Sequence, residues 1–189
     1  MRSTTLTIMF ACSVGLASVT GAHADLITFT HTGSGSGTLN SSMFGPSNFT
    51  IVSTADTDNR DSHGSAYFIN HDSVTITIDG LGTYDITDAT RTFVNNDNQT
   101  VGFSRGNHGS DLFNGPSDPA FLVWEMLTSI GPVSGTGTLM QWGSGINTSG
   151  GILEFYNGSS SATFAATIPA PGVMALLGVA GFVGRRRRR

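Results

Sequence analysis

A serine between two glycines is the first group in this sequence whose type and spacing could do chemistry. Gly102-Phe103-Ser104-Arg105-Gly106 matches the G-x-S-x-G nucleophile elbow, and His108 is the one histidine after the serine. The elbow needs a strand before the serine, a helix after it and a histidine to take the hydroxyl proton. The residues after Gly106 do not favour a helix, and His108 is too close along the chain to be the usual partner. We therefore expect no catalytic residue here, and an extracellular hydrolase is the competing hypothesis.

Three nearby carboxylates are the candidate ligands of a hard cation. Asp56, Asp58 and Asp61 lie in one polar stretch, and carboxylates two residues apart in an extended loop can converge on Ca²⁺. The pattern departs from the EF-hand because Arg60 occupies a ligand position and the turn glycine is missing. A solvated polar loop is the favoured interpretation. Calcium is the one cofactor considered, and we expect no other.

The remaining ionisable residues predict no further site. Removal of a signal peptide would leave four histidines without the local spacing of zinc ligands: His31, His63, His71 and His108. Glu125 lies within an apolar run and could be a buried acid. We expect instead that it points to solvent or pairs with an arginine.

Aromatic and threonine side chains could form a binding surface. Five aromatic residues could stack on sugar rings, although in a domain of this size we expect them in the core. They are Trp124, Trp142, Tyr67, Tyr84 and Tyr156. Thr75 and Thr77 form a single Thr-x-Thr motif of the kind that flat ice-binding sheets repeat many times. Without a repeat, this motif does not support ice binding.

Charge divides the chain into an acidic body and basic ends. All nine basic residues are arginines: Arg2 and Arg185 to Arg189 lie at the ends, and only Arg60, Arg91 and Arg105 lie between them. The same central part holds all 13 carboxylates, so its net charge is −10. Such a body lacks the basic surface that attracts phosphates. We therefore expect no nucleic acid partner.

The body, residues 25–167, is predicted to be an all-β domain. Short β-rich runs alternate with turn residues, and Ser73–Ile78 alternates apolar and polar residues with the period of a strand. Asp79-Gly80 predicts a hairpin. About ten short strands favour an antiparallel β-sandwich, jelly-roll-like in topology, with a core of aliphatic and aromatic residues.

Three segments of the body are harder to assign. Gly33–Gly37 and Gly158–Ser161 have low complexity and predict flexible loops rather than sites. Asp118 followed by Pro119 is typical of a helix start. The apolar run that follows, up to Leu127, fits a buried strand equally well, and we favour the strand.

Residues 1–24 have the pattern of a secretory signal peptide. Arg2 precedes a short apolar stretch, and Ala22-His23-Ala24 matches the small-x-small cleavage pattern, which places the mature start at Asp25. Signal peptidase and the export machinery are therefore expected partners. Cys12 is the only cysteine, so the mature chain would have neither a disulfide nor a thiolate site.

Residues 168–189 combine a proline motif, an apolar segment and a basic tail. The motif Pro169-Ala170-Pro171-Gly172 is followed by an uncharged run, Val173–Gly184, which as a helix would span roughly 18 Å, less than a full bilayer core. Arginine side chains that extend to the interface would lengthen this reach. The arginines would stay cytoplasmic and orient the segment, while the acidic body lies outside. These membrane-orienting residues are Arg185, Arg186, Arg187, Arg188 and Arg189.

This three-part layout resembles the PEP-CTERM sorting signal of bacterial envelope proteins, which is also described as an ice-binding-protein C-terminal domain. The resemblance covers Ile168 to Arg189 and has Ala170 where the family usually has glutamate. It implies recognition and processing by exosortase, a membrane protease. The alternative is a simple tail anchor without processing.

The sequence thus predicts a protein that is exported and is either tethered to the membrane by its C-terminus or released to the cell surface or extracellular matrix. Its body would act as a binding or structural module, with polysaccharide as the candidate ligand. An extracellular hydrolase and a calcium-stiffened adhesin are the alternatives.

Overall fold

The computed structural model describes residues 25–106 and 109–169, which form an all-β structure. Two short 3-10 helices, Thr57–Asn59 and Pro119–Leu122, interrupt the strands. The strands are β1 (Leu26–Leu39), β2 (Ser42–Asp56), β3 (Arg60–His63), β4 (Ala66–Asn70), β5 (Ser73–Ile78), β6 (Gly82–Asp85), β7 (Thr90–Asn95), β8 (Thr100–Arg105), β9 (Asp111–Ser117), β10 (Ile130–Leu139), β11 (Ile146–Thr148), β12 (Gly151–Phe155) and β13 (Gly158–Thr167).

Most of the predicted export and sorting residues lie outside the described residues. These are Ala22 and Ala24 of the signal peptide, Ala170, Pro171 and Gly172 of the proline motif, and the arginines Arg185, Arg186, Arg187, Arg188 and Arg189. Pro169 is the one residue of the motif that is described, directly after Ile168 and the end of β13. Signal cleavage, processing at the motif and orientation by the arginines therefore stay predictions.

The strands form one curled, antiparallel sheet. Eleven of them follow the order β3-β4-β7-β8-β9-β10-β13-β1-β2-β5-β6, while β12 pairs with β1 and β11. Every strand pair in the described residues is antiparallel, so the predicted all-β antiparallel class is confirmed. Among these residues there is no helix with the length and apolar character needed to cross a bilayer.

The longest strand pair contains one of the segments predicted to be a loop. Residues Gly33–Gly37 continue β1 instead of leaving it, and Gly158–Ser161 open β13, so both loop predictions were wrong. Neighbouring rings explain why glycine is needed here, since a Cβ at Gly33 would lie 2.6 Å from Phe49 Cζ. At Gly37 a Cβ would lie only 1.9 Å from the carbonyl oxygen of Glu154, on the strand that pairs with this end of β1.

The core consists of two groups of buried side chains inside the curl. One surrounds Phe49, Phe113 and Trp142, and the other surrounds Phe29, Trp124 and Phe164. His31 of β1 contacts rings of both groups, because its imidazole lies 4.8 Å from the Phe164 ring and 6.4 Å from that of Phe113.

The run after Asp118 is neither a long helix nor a strand. The side chain of Asp118 accepts a hydrogen bond from the Ala120 backbone N–H and caps the short helix Pro119–Leu122, after which the chain is irregular. The predicted buried strand was therefore wrong, although the cap was read correctly. A strand buried on both faces fails because Val123 is 81% exposed.

Candidate functional site

Hydroxyl side chains line the outer surface of one half of the sheet. In β1, β2, β5 and β13 apolar residues alternate with threonine and serine, so the apolar side chains face the core and the hydroxyls face outward. The register brings six of them into one rank across six strands, about 24 Å long at the usual strand spacing. This rank is Thr83, Thr77, Thr50, Thr32, Thr163 and Ser134.

Two further ranks lie beside the first and complete what we call the hydroxyl face. One consists of Ser73, Thr54, Thr28 and Thr167. The rank between them consists of Asp85, Thr75, Val52, Thr30 and Ala165. Asp85, on the edge strand β6, is the only ionisable residue in the three ranks. The face is therefore nearly uncharged on a body whose net charge is strongly negative.

Neighbouring hydroxyls on this face bond to each other across the strands. The Thr77 and Thr83 oxygens are 2.8 Å apart, and those of Thr54 and Ser73 are 2.7 Å apart. A third pair, Ser134 and Thr163, is separated by 3.2 Å. A hydroxyl that donates to a neighbour keeps acceptor capacity for a ligand, and cross-strand threonine pairs also stabilise the sheet.

A shallow polar groove adjoins the face where β1 and β13 pass β10. Its volume is about 300 Å³, at the lower end of the usual range for small-molecule sites. Its walls include Ser34, Ser159, Asn157 and Tyr156, and Tyr156 is 48% exposed. None of the residues lining the groove is charged. The groove thus offers an aromatic surface and hydroxyl groups beside each other.

The tryptophans predicted to be core residues are buried. Trp124 is 5% exposed and Trp142 is 1% exposed, and the indole N–H of Trp142 donates to the Leu112 carbonyl at 2.8 Å. That prediction is confirmed for both. Tyr67 and Tyr84 are half-buried, and Tyr156 is the most exposed of the five aromatic candidates, so the core prediction was wrong for Tyr156.

Ser104 lacks the surroundings of a nucleophile. It is fully buried on β8, and its hydroxyl accepts a hydrogen bond from Arg91 Nε at 3.0 Å. The next element after β8 is the antiparallel strand β9 rather than a helix, so the strand-turn-helix geometry of the elbow is missing. His108 lies outside the described residues.

The predicted calcium ligands lie at one end of the sheet, and two of them bond to local backbone groups. Asp56 accepts from the Asp58 N–H at 2.8 Å, and Asp61 accepts from the Ser62 N–H at 2.7 Å. No group of three or more histidine, cysteine or acidic side chains gathers within residues 25–106 and 109–169. Calcium binding by these aspartates stays the alternative to the favoured solvated polar loop, and nothing in the structure tests it.

Glu125 forms an ion pair, one of the two arrangements expected for it. Its Oε2 lies 2.9 Å from Arg60 Nη1, which also donates to the Glu125 carbonyl at 3.2 Å. The carboxylate is half exposed, so the pair connects the loop after β9 to the start of β3 at the surface.

Two histidines share one threonine inside the curl. Nε2 of His71 lies 2.9 Å from Thr92 Oγ1, and Nε2 of His31 lies 3.3 Å from the same oxygen. His71 also bonds to Thr90 and stacks on Phe103. Burial lowers the pKa of His31 to about 3. Burial, together with the neighbouring His31, also lowers the pKa of His71 to about 3. Both rings are therefore neutral at physiological pH.

Searches of family models, curated proteins and solved structures found no match to this chain. The candidate site therefore depends on the geometry alone.

The hydroxyl face is the feature that sequence reasoning missed. Thr75-x-Thr77 is not a single motif, because Thr28, Thr30 and Thr32 repeat the same spacing on β1. The missing repeat along the chain is supplied by strand pairing across the sheet. Comparing the outward positions of all predicted strands could have suggested the face.

Proposed function

We propose that this protein is exported and acts outside the cell as a module that binds neutral polysaccharide through the hydroxyl face. The observation that carries the proposal is the rank of six hydroxyl residues on six adjacent strands, next to a groove with an exposed tyrosine. Glycan hydroxyls can donate to and accept from such a surface. An exposed aromatic ring adds a flat apolar surface with a polar tip.

Charge determines which glycans fit. The ranks and the groove hold no cationic residue, so nothing on them would compensate the charge of an acidic polysaccharide. A neutral chain avoids this repulsion from the acidic body. Its binding should change little with ionic strength, because screening acts on charged pairs.

The twist of the sheet favours a single glycan chain over an ice surface as the ligand. Adjacent strands rotate by about 20–25°, so the rank turns by roughly 100° over six strands. A rigid crystal plane cannot follow such a surface, whereas a single polysaccharide chain can turn with it. The proposal therefore concerns soluble glycan chains and predicts no thermal hysteresis.

Affinity electrophoresis with soluble neutral glucans and with exopolysaccharide from the envelope tests this proposal. Thr32→Val with Thr50→Val removes two central hydroxyls at nearly constant shape and should weaken binding about tenfold, as expected for two lost hydrogen bonds. Thr128→Val, on an exposed loop and outside the three ranks, is the matched control. Absence of retardation by every glycan would end the polysaccharide proposal.

Export and sorting form the second part of the proposal. Signal peptidase would cleave after Ala24, and an exosortase-like protease would act at Pro169 to Gly172, with the arginine tail on the cytoplasmic side. Intact masses from separate envelope and medium fractions test this. A chain from Asp25 to the proline motif in the medium would support processing. An envelope species ending at Arg189 would mean a permanent tether without processing.

We also propose that the curled sheet is a jelly-roll-like sandwich. His31 of β1 lies 6.1 Å from the Phe103 ring of β8, and it contacts Thr92 of β7, although neither strand pairs with β1. Contacts between unpaired strands across a core are typical of two packed layers.

A further inference from the structure

Three exposed apolar side chains lie on the loop between β9 and β10. We call them the apolar tip: Leu122 is 53% exposed, Val123 is 81% exposed and Leu127 is 46% exposed. Their loop is held in place by its buried residues, because Phe121, Trp124 and Met126 belong to the core. The tip is therefore presented to the outside by a fixed loop.

The apolar tip lies beside the point where the chain leaves the sheet. Ser129 follows Leu127 by two residues, and its hydroxyl accepts a hydrogen bond of 2.8 Å from the backbone N–H of Ile168. Ile168 also packs against the same core group as Trp124. Ile168, the first residue of the predicted sorting segment, thus contacts the loop that carries the tip.

Chain length limits how far the tip can lie from an inserted C-terminal segment. Only four residue steps separate Pro169 from Val173, the first residue of the apolar run. A fully extended chain covers at most about 14 Å in four steps. If residues 173–184 lie in a bilayer, this end of the body must lie close to the membrane surface.

We infer that the apolar tip inserts into the boundary between lipid headgroups and acyl chains while the body is tethered. The inference depends on the tether in the proposed function and adds a second contact with the membrane. Leucine and valine side chains gain free energy by leaving water at this depth. The contact would fix the orientation of the body, so the hydroxyl face is held at a constant angle to the membrane.

Neighbouring charges specify the kind of lipid. Asp56 and Asp58 lie beside the Arg60 that anchors the loop through Glu125. With Arg60 already paired, these aspartates would repel anionic headgroups. The tip therefore fits a zwitterionic surface, and anionic lipid should weaken its insertion.

Site-directed labelling tests the inference on the exported chain with its C-terminal segment. The only cysteine, Cys12, is lost with residues 1–24, so Val123→Cys in the exported chain carries an environment-sensitive dye at one position. Met43→Cys is the matched control, because Met43 is 78% exposed. Met43 pairs with Thr38. Thr38 lies about 40 Å along β1 from Leu26, the first residue of that strand. The probe is a phosphatidylcholine vesicle with nitroxide on the lipid.

We expect the dye at position 123 to be quenched about threefold more than the dye at position 43, and less so when a third of the lipid is anionic. Vesicles that float with the protein but quench both positions equally would overturn the inference and leave the tether intact. Protein that does not float with the vesicles at all would contradict the tether, and the inference with it.

Discussion

The buried histidines make the stability of the folded chain sensitive to mild acid. The pKa of His31 is about 3 in the folded state, whereas an unfolded histidine has a pKa of roughly 6.5. The unfolded chain therefore takes up a proton first, and the free energy of unfolding falls as the pH falls from about 6.5 towards 3. Between pH 7.5 and pH 5, one such histidine lowers the free energy of unfolding by about 2 kcal/mol.

The second histidine adds to this loss. His71 has the same lowered pKa, but part of its surface is exposed, so we expect it to contribute less than His31. Together the two should remove about 3–4 kcal/mol, a large part of the 5–15 kcal/mol that stabilises a typical domain.

Urea unfolding at pH 7.5 and pH 5, followed by tryptophan fluorescence at equal ionic strength, measures this difference. His31→Gln should reduce the difference in unfolding free energy between pH 7.5 and pH 5 by about 2 kcal/mol, whatever its effect on stability at pH 7.5. His63→Gln, an exposed residue on β3, is the matched control and should leave the difference unchanged. A wild-type loss below about 0.5 kcal/mol, or an unchanged difference in His31→Gln, would refute the reasoning.

Three further substitutions test the packing of the sheet through urea unfolding at pH 7.5. Gly37→Ala should lower the free energy of unfolding by about 1–3 kcal/mol because its Cβ would clash with a carbonyl oxygen. Gly45→Ala is the control: its Cβ would have no atom within 4 Å, and the free energy of unfolding should change by less than about 0.5 kcal/mol. Trp142→Phe should cost about 2–4 kcal/mol because it leaves a cavity and removes the donor to Leu112; a cost below about 1 kcal/mol would contradict this. Glu125→Gln should cost less than about 1 kcal/mol, since its ion pair lies at the surface; a larger loss would mean that the pair positions the loop more strongly than its exposure suggests.

Local patterns were enough to predict the all-β class. The alternation in Ser73–Ile78 predicted a strand, and the structure has β5 at those residues. Composition likewise placed both tryptophans in the core. These predictions succeeded because a strand with one buried face leaves a periodic pattern in its own sequence.

Predictions failed where distant residues determine the structure. Gly33 appears flexible in the sequence, yet it lies in β1 because Phe49 of β2 packs against it. The hydroxyl face was missed for the same reason, since its ranks exist only through the register of six paired strands. The run after Asp118 was misassigned because an apolar composition does not reveal which side chains face the core.

The position of β1 between β2 and β13 has a consequence for the order of folding. One edge of β1 pairs with β2, and its other edge pairs with β13, the last strand of the body. In this second pairing Thr28 to Thr32 lie opposite Thr163 to Thr167. An emerging chain therefore cannot complete the sheet until residue 167 is available, and pairs this far apart in sequence form slowly. A partly synthesised chain would therefore leave one edge of β1 unpaired. The sheet would close at this edge only after the last strand has been made.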